Sequence, residues 1–157
     1  MRIGIGYDSH RFAPGRRLIL GGVEIPFERG LAGHSDADAV AHAVTDAILG
    51  AAALGDIGTH FPPSDPAWRD ADSLVLLEKA VRLLEDHGHR VVNVDVTVIC
   101  EAPKLAPHVP AMRERLAAAL GIGSAQVSVK AKSNEGMGWI GRGEGIAALA
   151  VALVADR

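Results

Sequence analysis

Three side chains that can bind a metal ion stand out in the sequence. Asp8 and His10 lie two positions apart in a segment that alternates like a strand, so their side chains leave the same face. His42 lies on a segment with helical periodicity, with Asp38 and Asp46 four residues to either side. Two imidazoles and one carboxylate match a catalytic zinc site with one open position, and the same set also accepts Mn²⁺ or Fe²⁺.

A structural interpretation of the same residues is open. In it, Asp46 satisfies His42 on a capped helix, and Asp-x-His only ends a strand. Asp-x-His is common and His42 is distant in sequence, so spacing alone favours this interpretation over a metal site. A buried helix face that carries a histidine and carboxylates is nevertheless unfavourable unless something pairs them.

Further polar residues lie where a phosphate would bind. His34 and Ser35 precede a helix, whose unpaired N–H groups and dipole attract anions, although Ser35 alone is better explained as a helix cap. The segment 130–135 adds ammonium groups, a hydroxyl and a carboxylate. Arg142, in a glycine-dense loop, either clamps an anion or pairs with the glutamate two residues later. No P-loop or complete dinucleotide fingerprint is present, which disfavours a kinase.

The elements that must position these residues are strands of period two and helices with an apolar stripe. Ser35 and Asp38 have the form of a capping box at the start of the first helix. The connection over 55–65 lacks regular structure, and such long connections are often functional. Val92, Val94, Val96 and Val98 are expected to share one face of their strand. The predicted strands cover 2–7, 18–20, 23–25, 91–100, 126–132 and 146–154, and the helices cover 36–53, 72–87 and 107–120.

The mixture of strands and helices predicts an α+β fold. We expect a two-layer sandwich, in which a mixed β-sheet carries helices on one face, and a single domain over residues 1–157. The last strand is apolar on both faces. An apolar sheet face without helices would be an association site, so we expect another subunit to cover it.

Composition narrows the class of protein. The net charge is −3 with both signs interspersed and no basic run, which argues against nucleic-acid binding. Cys100 is the only cysteine, so no intrachain disulfide forms. No segment has the length of a membrane span, and no signal peptide is recognisable. We therefore expect a cytoplasmic protein without nucleic-acid or membrane partners.

Several collinear segments together resemble one family. They are Gly-Tyr-Asp-Ser-His at 6–10, Leu-Gly-Gly at 20–22, His-Ser-Asp-Ala-Asp at 34–38 with His42, the run 50–58 with Phe61-Pro62, Asn93-Val94-Asp95, Ala102-Pro103-Lys104 and Gly-Arg-Gly-Glu-Gly at 141–145. Over essentially the whole chain they resemble the 2-C-methyl-D-erythritol 2,4-cyclodiphosphate synthases of the non-mevalonate isoprenoid pathway. This combination makes the metal interpretation of Asp8, His10 and His42 the favoured one.

The resemblance implies a homotrimer with active sites between adjacent subunits. The implied substrate is 4-diphosphocytidyl-2-C-methyl-D-erythritol 2-phosphate, whose 2-phosphate attacks the β-phosphate in line and releases CMP. Asp8, His10 and His42 would hold a zinc or manganese ion. Glu135 would help to hold a second ion, magnesium or manganese, that bridges the phosphates. His34 and Ser133 would stabilise the transition state.

The resemblance also implies three groups of substrate-binding residues. The first surrounds the phosphates, the second contacts the ribose and the methylerythritol portion, and the third holds the cytidine end. They are Asp8, Ser9, His10, His34 and Ser35; then Asp56, Ile57, Gly58, Phe61, Pro62, Pro63, Ser64 and Asp65; then Cys100, Glu101, Ala102, Pro103, Lys104, Leu105, Ala106, Lys132, Ser133, Asn134 and Glu135, to which Trp139 and Arg142 are added.

Two segments depart from the family pattern. Where the family has a Thr-Thr-x-Glu stretch, this chain has Lys132-Ser133-Asn134-Glu135. Ser133 keeps the hydroxyl, whereas Lys132 adds a charge to which the pattern assigns no purpose. Trp139 replaces the usual phenylalanine and keeps an aromatic ring. Two other functions remain as alternatives: a zinc-dependent phosphate-ester hydrolase and a trimeric ligand sensor without enzymatic activity.

Overall fold

The computed structural model describes residues 1–157, which form a five-stranded sheet, a two-stranded sheet and five helices. The strands are β1 (Arg2–Pro14), β2 (Leu18–Leu20), β3 (Val23–Ile25), β4 (Arg29–Leu31), β5 (His89–Ile99), β6 (Val127–Lys132) and β7 (Gly145–Asp156). The helices are α1 (Ala39–Ala51), α2 (Ile57–His60), α3 (Ser73–Asp86), α4 (Val109–Leu120) and α5 (Gly138–Gly141). None of them is long and apolar enough to span a membrane.

The large sheet is mixed, as predicted. Its strand order is β4-β1-β7-β5-β6, and β5 and β6 run parallel while the other pairs are antiparallel. Helix α1 packs on β1 and β7, α3 packs on β5, and α4 packs on β6. Between the layers lies one cluster of 37 buried apolar residues. The molecule is thus an α+β two-layer structure, with its helices on one face of the sheet.

Helix α1 lies unusually close to β1, because small residues face each other there. A Cβ atom on Gly4 would collide with the carbonyl oxygen of Ala47, and one on Gly6 with that of Ala43. Both alanines are fully buried. This close packing sets the height of α1 above the sheet, and His42 lies next to Ala43 on that helix.

Strand β1 is longer than predicted. It continues to Pro14, and its last residues pair with β4, which the sequence did not predict. Asp8 and His10 pair with Ala148 and Ile146 of β7, so they lie in the middle of the strand and not at its end. β4 has only three residues, too few to show a period of two.

The predicted start of α1 was wrong. Asp38, not Ser35, caps the helix, and its carboxylate accepts a hydrogen bond from the backbone N–H of Ala41. The same carboxylate accepts from the N–H groups of Gly21 and Gly22, in the turn between β2 and β3. Burial raises the pKa of Asp38 to about 6, although these backbone donors favour the carboxylate. The cap therefore joins the helix to the hairpin.

The predicted alternation in β5 was wrong at one position. A β-bulge between Val91 and Asn93 shifts the register, so Val91 is buried while Val92 is only half-buried. Val94, Val96 and Val98 share the buried face, as expected. The predicted helix ends at α3 and α4 agree with the structure to within two residues.

The face of the sheet opposite the helices exposes a row of large apolar side chains. Ile5 pairs with Val151 and Tyr7 with Leu149, and paired residues share a face. Ile5 is 65% exposed and Tyr7 56% exposed. Every second residue of β7 from Ala148 to Val154 is buried on the other face. The prediction that the last strand is apolar on both faces is therefore confirmed.

Candidate active site

Asp8, His10 and His42 converge to form one cluster. Asp8 Oδ2 lies 2.7 Å from His10 Nε2 and 3.1 Å from His42 Nδ1, and the two nitrogen atoms are 3.3 Å apart. Tetrahedral ligands at zinc-like bond lengths lie about 3.3 Å from each other. The donor set and its spacing therefore suit a divalent metal ion, and the predicted grouping of these three residues is confirmed.

The packing of α1 on β1 creates this cluster. β1 presents Asp8 and His10 toward the helix layer, and α1 brings His42 over them. His10 Nδ1 lies 2.8 Å from the carbonyl oxygen of Ala32, to which it donates, so Nε2 faces the cluster. Asp46 instead accepts a hydrogen bond of 2.7 Å from the backbone N–H of Ile57, the first residue of α2. The interpretation in which Asp46 satisfies His42 is therefore wrong.

The cluster shifts the pKa values of its members in opposite directions. Burial raises the pKa of the Asp8 carboxyl, but hydrogen bonds from His10 and His42 outweigh it and hold the pKa below its ordinary value. Burial lowers the pKa of His10, but the hydrogen bond and the charge of Asp8 outweigh it and raise this pKa. Each shift favours a negative Asp8 beside a positive partner.

A first cavity of about 270 Å³ opens beside this cluster. The predicted phosphate and methylerythritol groups meet there, together with two residues that the sequence analysis missed, Trp68 and Leu76. The lining consists of His10, His34, Ser35, His42, Ile57, Gly58, Phe61, Pro63, Trp68 and Leu76. The mixture of imidazoles with apolar side chains suits a ligand that has both a charged and an apolar part.

Other members of these two groups have structural contacts outside the lining. Asp56 caps α2, and Asp65 accepts from the N–H of Ala67 in the next turn. The carbonyl oxygen of Asp65 also lies 3.2 Å from His34 Nε2. Ser9 points to the opposite face of the sheet from its two neighbours in β1, since successive side chains alternate. Pro62, which is half-buried, and Ser64, which is exposed, lie in the connection between Phe61 and Asp65.

A second cavity, of about 390 Å³, lies at the ends of β5 and β6. It brings together most of the residues predicted for the cytidine end: Cys100, Glu101, Pro103, Lys104, Leu105, Ala106, Lys132 and Ser133, joined by Ala131. Glu101 Oε1 accepts hydrogen bonds from the backbone of Asn134 at 2.7 Å and of Gly136 at 3.2 Å, which fixes the next loop. Burial raises the pKa of the Cys100 thiol to about 11. The thiol is therefore a lining group and not a nucleophile.

The remaining predicted residues lie apart from the metal cluster. One row of paired residues crosses four strands, through Asp8, Ala148, Val98 and Ala131. Three strand spacings, about 14 Å, therefore separate the metal cluster from the second cavity. Ser133 and Glu135 contact each other at 3.4 Å and join neither Asp8 nor the histidines.

Arg142, Ala102 and Trp139 also lie outside both linings. Arg142 pairs with Glu144 at 2.9 Å, the structural alternative that the sequence left open. Ala102 and Trp139 are exposed.

The structure adds polar contacts to His42 that the sequence did not reveal. His42 Nε2 lies 2.8 Å from Ser73 Oγ and 3.2 Å from Ser35 Oγ, and Ser73 Oγ also contacts a carboxylate oxygen of Asp36. In the sequence, Ser73 only follows Asp72, the first residue of the predicted helix 72–87. Nothing in its spacing predicts a contact with His42.

The whole chain resembles known proteins in sequence and structure. The model of the YgbB family matches residues 1–155. The 2-C-methyl-D-erythritol 2,4-cyclodiphosphate synthase of Symbiobacterium thermophilum is 64% identical over 157 residues, which cover 100% of both chains. That of Moorella thermoacetica is 59% identical, over 100% of this chain and 96% of its own.

Two solved structures resemble the fold of this chain. The bifunctional IspDF from Campylobacter jejuni has a TM-score of 0.96 at 40% identity; the match covers 99% of this chain and 42% of that chain, so this chain spans less than half of the bifunctional protein. A 2C-methyl-D-erythritol-2,4-cyclodiphosphate synthase in a CDP-bound form has a TM-score of 0.90 at 40% identity, over 98% of this chain and 100% of that chain.

Proposed function

This chain belongs to the YgbB family, and we propose that it converts 4-diphosphocytidyl-2-C-methyl-D-erythritol 2-phosphate to 2-C-methyl-D-erythritol 2,4-cyclodiphosphate with release of CMP. The observation that carries the proposal is the convergence of Asp8, His10 and His42 beside a cavity, in a chain that matches these synthases along its whole length. The reaction makes the enzyme a phosphorus–oxygen lyase.

The metal assignment follows from the donor types. We assign a zinc or manganese ion to Asp8, His10 and His42, and a second ion, magnesium or manganese, to Glu135 together with the substrate phosphates. When bound, such ions withdraw negative charge from the diphosphate and lower the barrier to attack on phosphorus. Mixed nitrogen and oxygen ligands support the first assignment, and a lone exposed carboxylate suits a shared ion.

The chain itself needs no strong general base for this reaction. The nucleophile is the 2-phosphate of the substrate, which is largely dianionic at neutral pH because its second pKa is about 6. The task of the protein is to fold a polyanion back on itself and to align the attacking and leaving oxygen atoms. Holding the two ends together can lower the barrier by roughly 7–11 kcal/mol.

We assign His34 and Ser133 to stabilisation of the transition state. His34 lies in the first cavity with the metal cluster, where its ring can donate to a phosphoryl oxygen. Ser133 lies in the second cavity and offers a hydroxyl there. Both groups would donate hydrogen bonds to oxygen atoms on which negative charge accumulates.

The second cavity is the proposed site of the cytidine end. Its lining combines Cys100, Glu101 and residues 103–106 with Lys132 and Ser133, and a related synthase has been solved with CDP bound. The exposed ammonium group of Lys132 would lie near the nucleotide phosphates and add attraction for them. The first cavity would take the ribose and methylerythritol portion through residues 56–58 and 61–65.

We further propose a homotrimer with active sites between adjacent subunits. The exposed apolar row on the sheet supports an interface there. Within one chain about 14 Å separates the metal cluster from the second cavity. An arrangement in which the first cavity of one subunit faces the second cavity of its neighbour would complete the site. A single domain over 1–157 and a cytoplasmic location remain predictions.

The experiment is a CMP-release assay with metal-stripped and reconstituted enzyme. We expect no CMP from the cytidyl substrate after chelation, and recovery on adding Zn²⁺ together with Mg²⁺, because the charge of the diphosphate must be neutralised. Turnover that persists at the full rate after verified removal of both ions would contradict the metal assignment. No turnover under any metal condition would support the sensor alternative.

A further inference from the structure

Each ring nitrogen of His42 faces a different set of atoms. Nδ1 lies 3.1 Å from Asp8 Oδ2 and 3.3 Å from His10 Nε2, on the side of the metal cluster. Nε2 points the other way, 2.8 Å from Ser73 Oγ and 3.2 Å from Ser35 Oγ. A neutral imidazole carries one N–H hydrogen, so one ring nitrogen of His42 donates a hydrogen bond and the other offers a lone pair.

The position of that hydrogen follows from Asp36. Its carboxylate can only accept hydrogen bonds, and it is held by the backbone N–H groups of Ser73 and Asp38, each at 3.1 Å. Ser73 Oγ contacts the same carboxylate, so the single hydroxyl hydrogen of Ser73 is donated to Asp36. Ser73 is fully buried, so the lone pairs of its oxygen face His42 Nε2 at 2.8 Å and the Ser35 hydroxyl at 3.5 Å.

We propose that Ser73 and Asp36 are positioning residues that fix His42 as the Nε2–H tautomer and thereby leave the Nδ1 lone pair free to bind the metal ion. The proposal rests on the metal assignment made under the proposed function. Ser35 Oγ accepts from the N–H of Ala37 at 3.2 Å and can donate its own hydrogen to Ser73 Oγ at 3.5 Å, which leaves it a lone pair for Nε2–H. The two residues act through His42, and neither belongs to the metal cluster or lines either cavity.

Without this pair, His42 would favour the wrong tautomer. Asp8 Oδ2 lies within hydrogen-bond distance of Nδ1 and would draw the hydrogen to that nitrogen, which would block the ligand atom. The acceptor at Ser73 opposes this attraction from the other side of the ring. His10 is ordered in the same way, because its Nδ1–H donates to the carbonyl oxygen of Ala32. With His10 neutral, three lone-pair atoms would then face one another, an arrangement that a cation between them would stabilise.

The test reads the tautomer directly, by ¹⁵N-edited NMR of the imidazole nitrogens in the metal-free protein. At a pH where His42 is neutral, we expect hydrogen on Nε2 in the wild type and a population on Nδ1 in Ser73→Ala. In a competition titration with a chromophoric zinc chelator, Ser73→Ala should bind Zn²⁺ about 10–100-fold more weakly. Thr45→Val is the matched control, since it removes another buried hydroxyl, bonded only to the Ala41 carbonyl oxygen, and should change neither readout.

The outcomes separate this inference from the proposed function. Hydrogen on Nδ1 of wild-type His42, or wild-type zinc affinity in Ser73→Ala, overturns the positioning role even if CMP is released normally. A wild type with the Nε2–H tautomer that forms no CMP contradicts the proposed function instead. The wild-type spectrum decides the tautomer even if Ser73→Ala does not fold.

Discussion

His10 and His42 turn opposite ring nitrogens toward Asp8, Nε2 from the strand and Nδ1 from the helix. The difference arises because a strand and a helix approach one point from different directions. Each ring is then held by a polar group behind it, Ala32 for His10 and Ser73 for His42. At the residue scale, the site depends on these supporting groups as much as on the ligands themselves.

Replacing His42 tests the ligand set. In His42→Ala, we expect the zinc content to fall from about one ion per subunit to near zero, because two of the three ligands are too few for a stable site. CMP release should stop, and the protein should remain folded by circular dichroism. His87→Ala removes an exposed imidazole at the end of α3 and should keep its zinc. Wild-type zinc content in purified, folded His42→Ala would rule out the assignment.

Residue types and whole-chain resemblance predicted Asp8, His10 and His42, since metal ligands are limited to a few side chains. The supporting groups could not be predicted in the same way. Ala32 contributes a backbone carbonyl, which any residue could supply. Ser73 carries no signal beyond its place at the start of a helix, so its contact with His42 depends on how two distant segments pack.

At the scale of elements, the close packing of α1 on β1 controls the distance from His42 to Asp8. Gly6→Ala should destabilise the protein by about 1–3 kcal/mol or more, because the new methyl group would meet the carbonyl oxygen of Ala43. Zinc affinity should fall as well, since the helix must move. Chemical denaturation and zinc titration measure the two effects.

A glycine on the same helix provides the control. Gly50 is exposed and has no atom closer than 3.9 Å to an added Cβ, so Gly50→Ala should stabilise α1 by about 0.5–1 kcal/mol and leave zinc binding unchanged. If Gly6→Ala proved as stable as the wild type, close packing of α1 on β1 could not be what positions His42.

The elements also show where sequence patterns fail. Two residues before α1 are good caps, and Asp38 prevails over Ser35 because the turn at Gly21 and Gly22 supplies two more donors to its carboxylate. That choice depends on tertiary contacts and not on local spacing. Likewise the bulge near Val92 arises from pairing with β7, whereas the helices α3 and α4 follow from periodicity and caps within their own segments.

At the scale of the whole molecule, the proposed trimer depends on the exposed apolar row. We expect the wild type to have a mass in solution of about three times 16.4 kDa by light scattering. Ile5→Glu should shift it toward the mass of one chain, because assembly would bury an unpaired charge. Val75→Glu, at an exposed apolar residue of α3 on the outer layer, should remain trimeric. A wild-type protein that stays monomeric at micromolar concentration would contradict an active site shared between subunits.

In the proposed reaction, this chain closes a ring between two phosphates of one substrate. Identifying the product is therefore the decisive measurement. The wild-type protein, supplied with Zn²⁺ and Mg²⁺, is incubated with 4-diphosphocytidyl-2-C-methyl-D-erythritol 2-phosphate, and the products are separated and identified by mass spectrometry and ³¹P NMR. We expect one CMP for each cyclic diphosphate, with two coupled phosphorus signals and no inorganic phosphate. An acyclic product that contains an added water, or release of inorganic phosphate, would contradict it and identify a hydrolase.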